Sequence, residues 1–415
     1  MSASPEPAPG LPRFAPAGRH RPVDLVVPGS TLDEVLAPYA AVTGPGTVAL
    51  RSGPDHLVAR YDGAAVWLEV SRAGRTTRLR SRRLARPDAP VVEVGLTLTG
   101  THLTVLTRGS GAWVARGKVD LLGRVDTRSG DWLAGLSADG AVAGRFGQLG
   151  LRDLRLVDGA PDGRVVLSAT SAGPGFFDTA HTSLWELDPG RLELTHLSDL
   201  YFRRPDRPGR YGDHATHVLR DGDRWLVATS TWGDFHRTER PVSVTLASTT
   251  ADLLSGVHLL DTTALRLPTG GLRSVGVWDP HLARTSSGWL VGFVSATRYF
   301  RFHPALATGP DLDALTLRAA GDGTQTEGTT LVRIGGDPMV LASDGVARRY
   351  PVLDLDLRET GALAAPYPSN IPWPTLVPDG DGWLLVGFDD TTYGGPLPGY
   401  GTHGDVVFAR SVPSD

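Results

Sequence analysis

The chain has 415 residues, 40% of them apolar and 21% charged, with a formal net charge of −4 and no cysteine. No Lys/Arg block coincides with a line of aromatics, which excludes a typical nucleic-acid binder, and the lack of cysteine excludes disulfides and thiolate-bound metals. Gly 51 and Pro 32 are spread among strand-length apolar runs, the composition of a turn-rich β protein.

The first ten residues have neither the basic start nor the apolar stretch of a secretory signal, and no run of about 18 apolar residues marks a membrane span. A cytoplasmic protein with no membrane partner is expected, although a secreted chain already stripped of its leader would read the same. Residues 1–30 read as a flexible N-terminal segment, richest in Pro and Ala over 1–20. Thr31 and Glu34 stand at the N-cap and capping-box positions of a short helix that ends by Pro38.

Residues 31–145 are expected to form a β-sandwich-like domain. Its alternating runs are His56–Arg60, Ala65–Val70, Val92–Leu98, Leu103–Thr107 and Trp113–Val119, separated by Asp62-Gly63, Gly100 and Gly109–Gly111. Trp67 and Trp113 sit in alternating strands and read as half-buried core more than as sugar platforms. The module either carries an accessory ligand or covers one face of the C-terminal domain. Gly130–Gly147 reads as the junction.

Residues 146–415 contain a phrase repeated five times. Its clearest copy, Val277–Val294, is two apolar strands joined by a polar turn at Thr285–Gly288, with Asp279 at the mouth. Taking Leu156, Val218, Leu282, Leu331 and Leu376 as equivalent, the copies are 62, 64, 49 and 45 residues apart. That spacing fits blades of about four strands. The fold class expected is therefore all-β, a five-bladed β-propeller preceded by an N-terminal β-sandwich-like domain.

The start of each innermost strand points toward one end of a propeller's channel, so residues in front of those strands converge from distant points of the chain. Asp153 and Asp279 occupy the same slot in blades one and three. Glu327 lies one place earlier in blade four. In blade two the slot holds Ala215, beside His214 and Asp213, and in blade five it holds Trp373. Trp232, Trp278, Trp373, Tyr299 and Phe300 lie near the same rim, where flat rings suit the C–H faces of sugars, and Arg348 and Arg349 offer donors for hydroxyls or a carboxylate.

A five-bladed pattern with an acid before the inner strand of blades one, three and four resembles the family 43 glycoside hydrolases and their clan, the arabinanases, β-xylosidases and α-L-arabinofuranosidases. Their blade-three Asp-Pro stands here as Asp279-Pro280, and their blade-four Glu-Gly-Pro as Glu327-Gly328-Thr329, with Thr in place of Pro. Asp153 is followed by Leu154, where the family usually has Pro. The acids are 126 and 48 residues apart. The resemblance covers about two-thirds of the chain and implies Asp153 as general base, Asp279 as the group that tunes and orients the acid, and Glu327 as general acid, in the inverting hydrolysis of a pentose linkage in a carbohydrate substrate.

It requires no cofactor, but implies room for a structural divalent cation, calcium, in the channel. Blade five lacks the His that relatives place there, leaving His214 or His403 as substitutes. Two other readings stay open: a phosphorolytic or sugar-transferring propeller enzyme, which needs an anion-binding Arg/His cluster, and a non-catalytic glycan-binding propeller.

Overall fold

The computed structural model describes residues 11–368, 371–389 and 404–412. Among the described residues seven sheets, antiparallel except for one strand pair in blade one, account for almost all regular structure, and five of them are propeller blades. Their inner strands are Leu151–Leu156, His214–Asp221, Val277–Thr285, Thr326–Ile334 and Thr375–Asp379. Consecutive strands of a blade pair antiparallel outward from the channel. Blade one gains an extra outer strand, Gly256–Asp261, which runs parallel to Glu193–Arg203.

Blade five is built from both parts of the chain. Thr375–Asp379, Gly382–Asp389 and Asp405–Val412 are covered on the outer side by Arg13–His20, antiparallel to Asp405–Val412. The expected flexible segment 1–30 is thus corrected over this strand and over Asp24–Val26, which pairs with the strand Val142–Gln148. The physical reason is the outer edge of Asp405–Val412, whose open backbone groups need a partner. Phe14 adds a buried ring packed in one cluster with Tyr350 and Leu385, and Arg19 pairs with Asp389 and Asp405. Exposed residues on both sides of Phe14 erase the alternation that would have marked the strand.

The remaining two sheets, of six and five strands, face each other across a core that includes Val42, Leu50, Leu57, Leu68, Leu96 and Leu103. Trp67 and Trp113 are buried, capped by the guanidinium groups of Arg78 and Arg108. The stretch read as a junction contributes the short helix Gly130–Ala134 and two strands, Leu136–Asp139 and Val142–Gln148, to this sandwich. At residues 32–34 only a 3₁₀ turn forms, and Thr31 makes no side-chain cap. No described helix is long and apolar enough to cross a membrane.

The sandwich docks on blade one through a second cluster that joins Leu25, Tyr39, Leu106 and Phe146 to Leu149 and Tyr201. Beside it, Arg145 forms a buried ion pair with Asp199, which also accepts from His181 and His196.

Candidate active site

Four of the five inner strands share one distortion. Pairing slips at Arg152/Arg155, His214/His217, Trp278/His281 and Glu327/Thr330, and within each slip one residue adopts left-handed backbone: Asp153 (φ 51°), Ala215 (φ 58°), Asp279 (φ 54°) and Gly328 (φ 68°). These are β-bulges, which re-aim side chains toward the channel mouth. Aspartate tolerates left-handed backbone better than most residues, so the distortion and the acid are compatible.

In blade four the same position is glycine, because a Cβ on Gly328 would stand 2.5 Å from the Trp373 ring. The acid of that blade is carried instead by the preceding Glu327, whose longer side chain reaches the cavity from outside the bulge.

One cavity of about 110 Å³ collects the result. Asp153, Asp279, Glu327, Arg152 and His214 supply its polar groups, and Phe177, Trp232, Phe235, Trp278, Tyr299 and Trp373 are among its aromatic walls. The three expected carboxyls, His214 and all four of Trp232, Trp278, Tyr299 and Trp373 therefore come together, with Phe300 also on the lining. Trp278 and Tyr299 lie nearly parallel, 5° apart, at 6.1 Å between centroids, and Trp232 packs on Trp278 at 5.3 Å.

Three expected site residues do not line this cavity. Asp213 is fully buried in an ion-pair network with Arg204, which also holds Asp234. Arg349 pairs with Glu359, and Arg348 donates to the Pro368 carbonyl at 2.5 Å. Asp213 is next to His214 in sequence, but Arg204 and the Gly233 N–H hold its carboxyl away from the cavity lining. His403 lies outside the described residues. The sequence alone does not reveal Arg152, Phe177 and Phe235 as part of the site. Arg152 reads there only as a neutralising neighbour of Asp153, and the two phenylalanines sit on turns with no periodic signal.

The carboxyls perturb one another. Burial, then the charges of Glu327 and Asp153, push Asp279 well above the usual carboxylate range, partly offset by Arg155 and by the Gly328 N–H. Burial, then Asp153, lift Glu327 to about 8, against the opposing pull of Arg152 and of the Trp278 and Trp373 indoles. Those indole N–H groups face the carboxyl without completing hydrogen bonds. Burial also raises Asp153, while Arg152 and the Thr170 hydroxyl favour its charged form. His214 is pushed down to about 3 by burial and is neutral. The set thus holds a carboxyl that keeps its proton at neutral pH, Glu327, together with one that has cationic and hydroxyl support, Asp153.

Among the described residues, neither cluster that invites a divalent cation fits one. His214 turns Nδ1 to the Gly212 carbonyl at 3.3 Å and leaves Nε2 for the cavity, but Arg152 is the next charge it meets, and calcium takes six to eight oxygen ligands. Deeper in the channel, Asp158, His217 and His281 bring ligand atoms within 4.8 Å of one another. Here the Leu282 N–H donates to Nδ1 of His217 at 3.1 Å, and the Leu331 N–H to Nδ1 of His281 at 2.6 Å. Both neutral rings consequently carry their proton on Nε2, the nitrogen a metal would need bare. These histidines are locks between blades, not ligands.

No family model and no curated protein matches the chain. Among solved structures it aligns with a family 32 β-fructofuranosidase from Bombyx mori, at 14% identity over 63% of this chain and 60% of that one, TM-score 0.45. It also aligns with a GH43_1 enzyme from Xanthomonas citri complexed with xylotriose, at 13% identity over 64% and 87%, TM-score 0.45. A family 117 glycoside hydrolase from Zobellia galactanivorans gives 11% identity over 64% and 86%, TM-score 0.47. The chain thus spans about 60% of the length of the Bombyx enzyme. These are likenesses of propeller fold, and the chemistry is drawn from the pocket itself.

Proposed function

We propose that the cavity is the active site of a glycoside hydrolase that removes a terminal pentosyl residue, arabinofuranosyl or xylosyl, with inversion of configuration. The observation that carries this reading is the convergence of three carboxyls from three blades in one aromatic cavity, with Glu327 among them raised to about 8. Inverting hydrolysis needs a carboxylic acid at the leaving oxygen and a carboxylate that activates water on the opposite face of the ring. Glu327 takes the first role and Asp153 the second. The charge of Asp153 helps keep the Glu327 proton on, and Asp279, held protonated by burial and by its acidic neighbours, orients the acid.

Size supports a single small ring. An apolar cavity of ~150 Å³ holds a benzene molecule, and the volume here is about 110 Å³. The near-parallel Trp278 and Tyr299 offer the flat surfaces that sugar C–H faces stack on.

The test assays Glu327→Gln and Asp153→Asn on aryl pentosides and on natural oligosaccharides, following the first-released anomer by NMR. Glu327→Gln should lose most activity on natural linkages and much less on activated aryl leaving groups, whose departure needs little protonation. Asp153→Asn should lose both. Retained configuration, or full activity in Asp153→Asn, would remove this assignment of roles, and no activity on any glycoside would leave a glycan-binding propeller. One observation favours a second reading: Arg152 is buried in the cavity wall beside Asp153 and Glu327, a cation suited to inorganic phosphate. Release of a sugar 1-phosphate when phosphate is supplied would establish phosphorolysis instead.

A further inference from the structure

The residues just before the aligned strand positions Leu156, Val218, Leu282, Leu331 and Leu376 are, around the ring, Arg155, His217, His281, Thr330 and Thr375. Most tie one blade to the next. His217 and His281 accept backbone N–H groups of the following blade, and the Thr375 hydroxyl donates to the Leu154 carbonyl at 2.6 Å, linking blade five to blade one. Arg155 does something else: it leaves blade one and crosses the channel.

Its Nη1 donates to the Thr329 carbonyl at 3.1 Å and to the Thr330 hydroxyl at 3.0 Å, and its Nη2 to the Asp279 carbonyl at 3.3 Å. The guanidinium carbon stands 4.4 Å from the centre of the Trp373 ring. A single group, 1% exposed, therefore touches blades three, four and five from blade one. Two carbonyls and a hydroxyl converging from separate blades form an oxygen cage, and a planar fork with fixed donor directions can satisfy all three at once.

The cage is joined to the acids by a short relay. Thr330, having accepted from Arg155, donates its hydroxyl proton to the Gly328 carbonyl at 2.8 Å. The Gly328 N–H in turn bonds the Asp279 carboxyl. Glu327 is the residue immediately before that peptide. Moving the guanidinium would thus loosen both the backbone carrying Asp279 and the peptide that orients Asp279 and joins Glu327 to Gly328.

We infer that Arg155 is the positioning residue of the acid pair: a buried cation fixed in the channel that holds the blade-three and blade-four bulges in register beneath the cavity. It touches no substrate, and of its consequences only the kinetic ones rest on the glycosidase reading.

The test uses the full chain with Arg155→Ala and Arg155→Lys. In Arg155→Ala, kcat should fall about 100-fold, as expected when catalytic groups shift by roughly 1 Å, with a much smaller change in KM. Added guanidinium ion at non-denaturing concentration should recover part of the loss. Infrared titration of the protonated carboxyl band supplies a readout independent of any substrate: the band should persist to higher pH in the variant, because a cation that favours ionised Asp279 has gone.

If Arg155→Ala does not fold, Arg155→Lys decides. An ammonium keeps the charge but cannot span both blades, so kcat should still fall while the carboxyl titration moves less than in Arg155→Ala. Wild-type kcat and an unchanged carboxyl titration in either folded variant would overturn the inference. A moved titration in a protein with no activity on any glycoside would sustain the positioning role and sink only the glycosidase reading.

Discussion

Replacing Glu327 by Gln should make the protein more stable at alkaline pH and leave it almost unchanged near pH 4.5. The carboxyl is raised from an ordinary 4.5 to about 8 by burial and by Asp153. Between those values the unfolded chain has released the proton and the folded protein still holds it. Wild-type stability therefore falls as pH rises from about 4.5 to about 8, and this contribution is level outside that window. At about 1.4 kcal/mol per pH unit the ceiling is about 5 kcal/mol. Glu327 lines the cavity and is partly exposed, so about 2–3 kcal/mol is the expected size after solvent screening. Glutamine mimics the protonated acid and does not titrate, so the variant should recover that amount at pH 9. Urea unfolding of both proteins at pH 5 and pH 9, with equal m-values as a control, measures it. The same stability difference at the two pH values would refute a protonated Glu327, and with it the acid role.

Ala215 holds left-handed backbone at 58° without the side-chain polarity that helps Asp153 and Asp279. Relief of roughly 1–2 kcal/mol of steric cost, set against about 0.4–1 kcal/mol of added unfolded-state entropy, makes Ala215→Gly neutral to modestly stabilising. A fall in stability above about 1 kcal/mol would show that the bulge is not strained there. The sandwich clamps two aromatic turns of the cavity: His102 Nε2 meets Asp178 at 2.8 Å, and Arg128 donates to the Gly233 carbonyl at 2.8 Å. Removing either contact should cost about 1–3 kcal/mol of local order and raise KM more than it lowers kcat; unchanged KM in the His102→Ala, Arg128→Ala double variant would make the sandwich a bystander. Deleting residues 1–20 should expose the edge of Asp405–Val412 and produce oligomers by size-exclusion chromatography, and a monomer of unchanged Tm would contradict the closing role of that strand.

The features legible in the chain alone are those with local, repeated signals. Apolar strand pairs with polar turns recur at blade spacing, so the five blades are visible, as is the alignment that puts Asp153 and Asp279 in one slot. The closing strand Arg13–His20 is not, because it buries one ring in eight residues and draws its stability from Asp389 and Asp405, nearly the whole chain away. Arg348 and Arg349 read as donors because a sequence shows charges and not their partners; Glu359 and the Pro368 carbonyl occupy them. Phe177 and Phe235 reach the cavity from turns fastened by the sandwich, a tertiary effect with no local signature.

The displaced acid of blade four shows how packing and chemistry constrain each other. Blade five contributes a tryptophan to the slot, and Trp373 needs the space where a Gly328 side chain would stand. With the bulge position confined to glycine, a carboxyl can enter only from the neighbouring extended residue, and it needs glutamate length to arrive. That entry route places Glu327 between the Trp278 and Trp373 indoles and close enough to Asp153 for the charge to be felt. The acids of blades one and three instead sit on the bulges, next to Arg152 and under the Arg155 cage. A single packing conflict, tryptophan against Cβ, thus separates one carboxyl from the other two in environment, and a difference in environment is what lets chemically similar groups divide into donor and acceptor at one pH.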